Sequence, residues 1–252
     1  NFKIMAGHSK WANIQHRKGR QDKARGKLFT KLIREVTVAA RIGGSDLDSN
    51  PRLRTAVDKA KSQSMPKDNI ERAISKGSGE GDDFNLEEVT YEGYGPGGVA
   101  ILIESMTDNR NRTVAEVRHA LTKFGGNLGA EGSVSYLFKQ TGLITVSGIE
   151  DEDKIVETAI ELGAEDIEIN DDGSIEIMTS PNDLVDIKDA LSNEEINIDI
   201  AEVTMKAATD VSINLKHAQS MMKLLDMLDD LDDIQTVHSN AEISNDILEQ
   251  MN

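Results

Sequence analysis

Apolar residues recur at helical spacing through the first third of the chain. A first run ends at the glycine pair Gly43-Gly44, and its members are Leu28, Phe29, Leu32, Ile33, Val36, Ala39 and Ala40. Asn50-Pro51 is typical of a helix N-terminus, and a third apolar run starts after Met65-Pro66 and stops at Gly77. The pattern predicts a small bundle of three helices, followed by a polar, glycine-rich linker at 78–83.

After the linker, the period changes to one typical of strands. Two strands at 89–94 and 99–104 flank the turn Gly95-Pro96-Gly97-Gly98, and a helix over 113–124 and a strand over 134–138 follow. Next comes a βαββαβ series, the order of a ferredoxin-like domain. Its elements are predicted at 143–146, 151–162, 167–169, 175–177, 181–191 and 196–205.

A last helix and strand, predicted at 218–231 and 234–237, cannot bury their own apolar faces as a pair. We therefore expect them to return to the sheet that begins near residue 86. The βαββαβ series that precedes them is then an insertion within the domain that this sheet forms. The predicted fold class is α+β, with an N-terminal three-helix basic domain followed by two α/β-sandwich, ferredoxin-like domains, the last inserted into the middle one.

The predicted domain boundaries follow from these patterns. We expect a basic helical domain at 5–80, a discontinuous middle domain at 81–141 plus 207–252, and an inserted acidic domain at 142–206. Residues 1–4 precede Met5-Ala6-Gly7, which is typical of a natural start. We interpret those four residues as an extraneous leader.

The amino-acid composition limits the class of protein, the cellular compartment and the partners that we expect. The apolar content suits packed cores, and the 252 residues contain no cysteine, which excludes disulfides and thiolate metal sites. No 18-residue apolar stretch and no secretion signal is present, so we expect a cytoplasmic protein without a membrane partner. The formal net charge of −17, taken alone, disfavours a nucleic-acid partner.

The distribution of the charges reverses that inference. Residues 1–80 carry a net charge of +10, whereas residues 81–252 carry −27. A basic segment on an acidic body is typical of a nucleic-acid-facing arm, although unequal charge can also be a solvated surface with no partner. Interleaved cations, hydrogen-bonding groups and a stacking ring predict phosphate-backbone contacts from Lys10, Trp11, His16, Arg17, Lys18, Arg20, Lys23, Arg25, Lys27, Lys31 and Arg34.

Two further features of this basic segment bear on how it binds. Trp11 has a second interpretation, as an anchor of the segment in the bundle. Gly19 and Gly26 lead us to expect a partly extended segment that orders on binding.

The remaining motifs do not assemble a catalytic or metal site. Gly95-Pro96-Gly97-Gly98 fits a hairpin better than a phosphate loop. Arg110 and Arg112 fit either a phosphate site or an ordinary helix start, because the Asn, Asp and Thr residues at 108–113 are also common capping residues. We interpret a run of aspartates at the end of the last predicted helix as a solvated acidic face, with contact to a cation or basic protein as the alternative. The run comprises Asp226, Asp229, Asp230, Asp232 and Asp233. We expect no enzyme activity, cofactor or metal.

Several long motifs stand out along the chain, at 5–18, 26–35, 65–70, 91–98, 107–113, 125–129 and 132–134, beginning with the sequence MAGHSKWANIQHRK. Together they resemble the YebC/PmpR family of transcriptional regulators. The resemblance covers the chain from Met5 onward. It implies a three-domain cytoplasmic protein that binds DNA and regulates transcription.

The resemblance also implies a rival function, because mitochondrial relatives act as translational activators and bacterial relatives are linked to the ribosome. The alternative is therefore a ribosome-associated translation factor that binds RNA through the same basic domain. For the DNA-binding and the RNA-binding function alike, we expect the acidic domains to contact a protein or the ribosome. No helix-turn-helix pattern with base-reading spacing separates DNA from ribosomal RNA as the target.

Overall fold

The computed structural model describes residues 21–79, 86–148, 151–170, 173–194 and 196–251, with the side chains of residues 21–25 and 245 outside the description. The N-terminal part contains three helices, α1 (Gln21–Gly43), α2 (Pro51–Ser62) and α3 (Lys67–Ser78). Asn50 caps α2 as predicted, since its Oδ1 accepts a hydrogen bond from the Leu53 N–H at 3.0 Å.

The three helices enclose one apolar core built from the predicted stripes. Its fully or nearly buried members are Leu32, Val36, Ala39, Ala40, Leu53, Ala56, Val57, Ala60, Met65, Ile70 and Ala73. The expectation of an extended backbone at Gly26 is wrong, because Gly26 lies within α1 and its carbonyl accepts a bond from the Thr30 hydroxyl. Gly19 lies outside the described residues.

A four-stranded antiparallel sheet forms the next part of the molecule. Its strands are β1 (Glu87–Tyr94), β2 (Ala100–Thr107), β3 (Asn127–Leu128) and β9 (Ile234–Ser239), in the order β3-β1-β2-β9. The pairing of β9 with β2 is the predicted return of the chain to this sheet. Helices α4 (Arg110–Lys123) and α7 (Leu215–Asp229) cover one face, where Ile101 and Ile103 pack with residues of both helices.

The segment at 134–138, predicted as a strand, instead contains a 3₁₀ helix over Ser135–Leu137. The Glu92 carboxylate causes the difference, because it accepts the backbone N–H groups of Gly132, Val134 and Ser135 at 2.6–2.7 Å. Burial alone would raise the pKa of Glu92, but these bonds outweigh it and lower the pKa. The backbone is thereby held in a turn around one buried anion.

The inserted series forms a second four-stranded antiparallel sheet in the order β5-β6-β4-β7, which is the ferredoxin-like order. Its strands are β4 (Phe138–Val146), β5 (Asp166–Ile169), β6 (Ile175–Thr179) and β7 (Ile198–Ala207), with helices α5 (Glu152–Glu161) and α6 (Leu184–Asn193). Helix α6 begins three residues later than predicted, after a turn in which the Asp183 N–H bonds the Ser180 carbonyl.

The two sheets are joined by side-chain packing at one end of β4 and β7. Phe138 and Ala207, at the outer ends of these strands, pack with Ala100 and Leu102 of β2. Two short strands, β8 (Val211–Ser212) before α7 and β10 (Ala241–Glu242) after β9, pair in parallel, and helix α8 (Asn245–Met251) follows them. The sequence pattern did not predict these three elements. Across the described ranges, no helix has the length and apolar content that a membrane crossing requires.

Candidate nucleic-acid interface

The predicted contact residues fall into three groups in the structure. Lys10, Trp11, His16, Arg17, Lys18 and Arg20 lie outside the described residues. Lys23 and Arg25 lie in the first turns of α1, and their side chains are outside the description. Only Lys27, Lys31 and Arg34 can be placed atom by atom.

Those three side chains share one face of α1. Their spacing of four and three residues puts them in line along the helix, and Val38 continues the line one turn further. Val38 packs with Leu86 and Met106 of the neighbouring sheet part, on the other side of α1 from the bundle core. The basic face of α1 therefore points at the rest of the molecule.

Each of the three cations meets an aspartate at the C-terminal end of α7. The Lys27 Nζ lies 2.7 Å from the Asp230 carboxylate and donates to the Asp230 backbone carbonyl at 2.7 Å. The Lys31 Nζ lies 2.6 Å from the Asp229 carboxylate. Arg34 lies 2.7 Å from the Asp233 carboxylate. These contacts join residues that are about 200 positions apart in the chain.

Asp233 is the centre of a buried polar network. Its side chain is 3% exposed, and one carboxylate oxygen accepts from Arg34 while the other accepts from Arg112, Thr107 and Thr113. Burial alone would raise the pKa of Asp233, but the bonds from Arg112, Thr113 and Arg34 lower it to about 2. The network ties α1, α4 and the turn before β9 to one carboxylate.

The interpretation of the aspartate run as a solvated face is wrong for Asp233, which is buried. Asp229 and Asp230 are exposed as predicted, and they also pair with cations of α1. Carboxylates at a helix C-terminus are repelled by the partial negative charge of the last carbonyl groups. Cations from α1 offset that repulsion here, and Lys27 also bonds a terminal carbonyl directly. Asp226 and Asp232 are exposed, as the interpretation predicted.

The two arginines at the start of α4 have partners within the chain. Arg110 pairs with Glu87, and Arg112 pairs with Asp108 and Asp233. The Asn109 Oδ1 accepts the Arg112 backbone N–H at 3.0 Å, which confirms the capping interpretation over a phosphate site. The hairpin interpretation of Gly95-Pro96-Gly97-Gly98 is also confirmed, because this turn joins the paired strands β1 and β2.

Sequence reasoning missed the acidic partners of α1 and the role of Arg112. A signal for them was present, because an acidic helix C-terminus requires cations and a basic face on α1 supplies them at helical spacing. Arg52 adds a further link, since it pairs with Glu35 of α1 and Glu88 of β1. Within the described ranges, no group of three or more His, Asp or Glu side chains is placed to hold a metal.

Comparison with known proteins identifies the family. The model for the TACO1/YebC protein N-terminal domain matches residues 9–80, and the model for the TACO1/YebC second and third domain matches residues 86–241. The chain belongs to the TACO1/YebC family. The family that the sequence motifs predicted is therefore confirmed.

Individual TACO1/YebC relatives match along nearly the whole chain. A "Probable transcriptional regulatory protein" from Methylococcus capsulatus is 58% identical over 247 residues, which cover 98% of this chain and 100% of that protein. One of the same name from Coxiella burnetii is 59% identical over 244 residues, covering 97% and 100%. The crystal structure of a conserved hypothetical protein from Aquifex aeolicus has a TM-score of 0.82 at 50% identity, covering 95% of this chain and 99% of that one.

Proposed function

We propose that this TACO1/YebC protein is a transcriptional regulator that binds DNA through the basic residues of its N-terminal domain. The names of its relatives support the regulatory class. The segregation of charge, +10 on residues 1–80 against −27 on the remainder, supports a polyanion as the partner. This segregation is the observation on which the proposal rests.

The length and charge of helix α1 fit a role in binding DNA. Among the described side chains, the bundle core begins at Leu28, whereas the helix begins at Gln21. The first seven residues of α1 add length to the helix and include the cations Lys23 and Arg25. A cationic helical extension of this kind suits contact with a phosphate backbone, whose charges drive sequence-independent affinity.

The contact set divides into two roles. Lys10, Trp11, His16, Arg17, Lys18, Arg20, Lys23 and Arg25 are proposed to contact the nucleic acid directly. Lys27, Lys31 and Arg34 hold the basic helix against the acidic end of α7 in the structure at hand. The acidic body is repelled by the polyanion, which limits non-specific adhesion and leaves its surface for a protein contact.

This function is one of binding rather than catalysis. The proposed contact set consists of lysines and arginines with one tryptophan and one histidine, and phosphate contacts require only fixed positive charge and hydrogen-bond donors. The same chemistry would bind RNA, so the nature of the target must be tested directly.

Crosslinking in cells, followed by sequencing of the bound nucleic acid, tests the proposal. We expect promoter-containing DNA fragments to be recovered with the wild-type chain. A variant with Arg17→Glu, Lys18→Glu and Arg20→Glu should lose them. Recovery of mainly ribosomal RNA would contradict the proposal and support a translation factor that uses the same basic domain.

A further inference from the structure

We propose that the acidic end of α7 occupies a phosphate-binding face of α1 and is displaced when nucleic acid binds. This inference rests on the proposed function and adds a form of regulation to it. The face consists of Lys27 and Lys31, and the covering group consists of Asp229 and Asp230. In the described conformation, the chain's own carboxylates stand where phosphate oxygens would bind.

The geometry of both contacts is that of a charge-assisted hydrogen bond. The Lys31–Asp229 pair measures 2.6 Å and the Lys27–Asp230 pair 2.7 Å. A lysine ammonium donates to a carboxylate or a phosphate oxygen at similar distances. The lysines lie four residues apart on one helix face and match two aspartates at one helix end. The site therefore accepts an anion of either kind.

The two covering pairs are the ones that a competing anion can replace. The side chains of Asp229 and Asp230 remain 60% and 62% exposed within their ion pairs, whereas Lys31 and Lys27 are 15% and 30% exposed. Ion pairs with a solvent-exposed member contribute little to stability and are screened by salt. Nucleic acid brings a dense row of phosphates, and release of its counterions favours exchange.

The third pair differs, because it is buried. Asp233 is 3% exposed and is held by Arg112, Thr107 and Thr113 as well as by Arg34. Arg34 also donates to the Met106 carbonyl at 2.7 Å. Arg34 therefore keeps its contacts and anchors α1. When Lys27 and Lys31 exchange their aspartates for phosphates, the part of α1 on the N-terminal side of Arg34 loses its contact with α7.

The test uses a double variant, Asp229→Asn with Asp230→Asn, in the full chain. We expect it to bind a short duplex DNA about tenfold more tightly than wild type at low salt. Both lysines are then available without prior displacement. Because the wild type makes the same phosphate contacts once Asp229 and Asp230 are displaced, the slope of log affinity against log salt should stay close to the wild-type value. Adding Lys27→Gln and Lys31→Gln to this variant should remove the gain.

A matched control separates this effect from net charge. Asp226→Asn with Asp232→Asn makes the same change in net charge at two exposed neighbours that form no ion pair with α1 in the described residues. We expect this control to bind close to the wild-type level. An equal gain in both double variants would overturn the proposal, because repulsion by net charge would then account for it.

The same assay distinguishes failure of the inference from failure of the proposed function. Suppose that Asp229→Asn with Asp230→Asn leaves affinity unchanged while Arg17→Glu, Lys18→Glu and Arg20→Glu abolish binding. The covering of α1 is then refuted and the function stands. If wild type does not bind duplex DNA, or if the triple reversal has no effect, the proposed function fails and the inference fails with it.

Discussion

Asp233 links three parts of the fold through a single side chain. Arg34 reaches it from α1, Arg112 and Thr113 from α4, and Thr107 from the end of β2. A buried carboxylate is favourable only when its partners replace the lost hydration. The four donors do so here, which is why the pKa of Asp233 falls to about 2 although burial acts to raise it.

Asp233→Asn should lower the free energy of unfolding by about 2 kcal/mol at neutral pH. Because the pKa is depressed in the folded state, the charged form contributes its full stability above the unfolded-state pKa near 3.8 and loses it as the pH falls toward 2. Urea unfolding should therefore give the same difference at pH 7 and pH 5, and a smaller one at pH 3.

The neighbouring Asp232→Asn serves as the control for that measurement. Its side chain is exposed, so we expect a change within about 0.5 kcal/mol. A wild-type level of stability in Asp233→Asn at neutral pH would show that the network does not hold the two parts of the chain together.

Helix α1 uses two faces for two different contacts. Leu32, Val36 and Ala39 pack into the bundle core, whereas the Lys27, Lys31 and Arg34 face meets the acidic end of α7. The bundle side also requires close backbone approach. An ideal Cβ on Gly77 of α3 would lie 2.2 Å from the Thr37 carbonyl oxygen of α1.

Gly77→Ala should therefore destabilise the bundle by about 1–3 kcal/mol, because the helices must move apart to admit the methyl group. Gly26→Ala, in α1, is the matched control: an ideal Cβ there has no atom of the described residues within 4 Å. Alanine is the better helix former, so the control should stabilise α1 by about 0.5–1 kcal/mol. Equal effects of the two substitutions in urea unfolding would contradict the close approach.

The elements that the sequence predicted correctly are those with local causes. Asn50-Pro51 starts α2 because the cap and the proline act on the next few residues. The segment at 134–138 was mispredicted because Glu92, some 40 positions earlier, bonds its backbone. The ion pair of Lys27 with Asp230 spans 203 positions, and no periodicity encodes such a contact. The basic face was predictable and the acidic helix end signalled a need for cations, but the sequence did not specify that these two would pair with each other.

Across the whole molecule, positive and negative charge are concentrated in different parts of the chain, and these parts contact each other. The basic N-terminal part carries +10 and the remainder −27, and part of that difference is neutralised where α1 meets α7. The aspartates of these outer pairs are exposed to solvent, so the pairs contribute between zero and about 1 kcal/mol each. The docked arrangement is consequently held mainly by the Asp233 network and the contact of Val38 with Leu86 and Met106.

Duplex DNA binding measured as a function of salt is the most direct test of the central claim, that the basic N-terminal region binds nucleic-acid phosphates. With about five phosphate contacts, log affinity should fall against log salt with a slope near −4.5. Arg17→Glu, Lys18→Glu and Arg20→Glu together should weaken binding strongly and flatten that slope. Binding that is independent of salt, or unchanged in the triple variant, would contradict the claim.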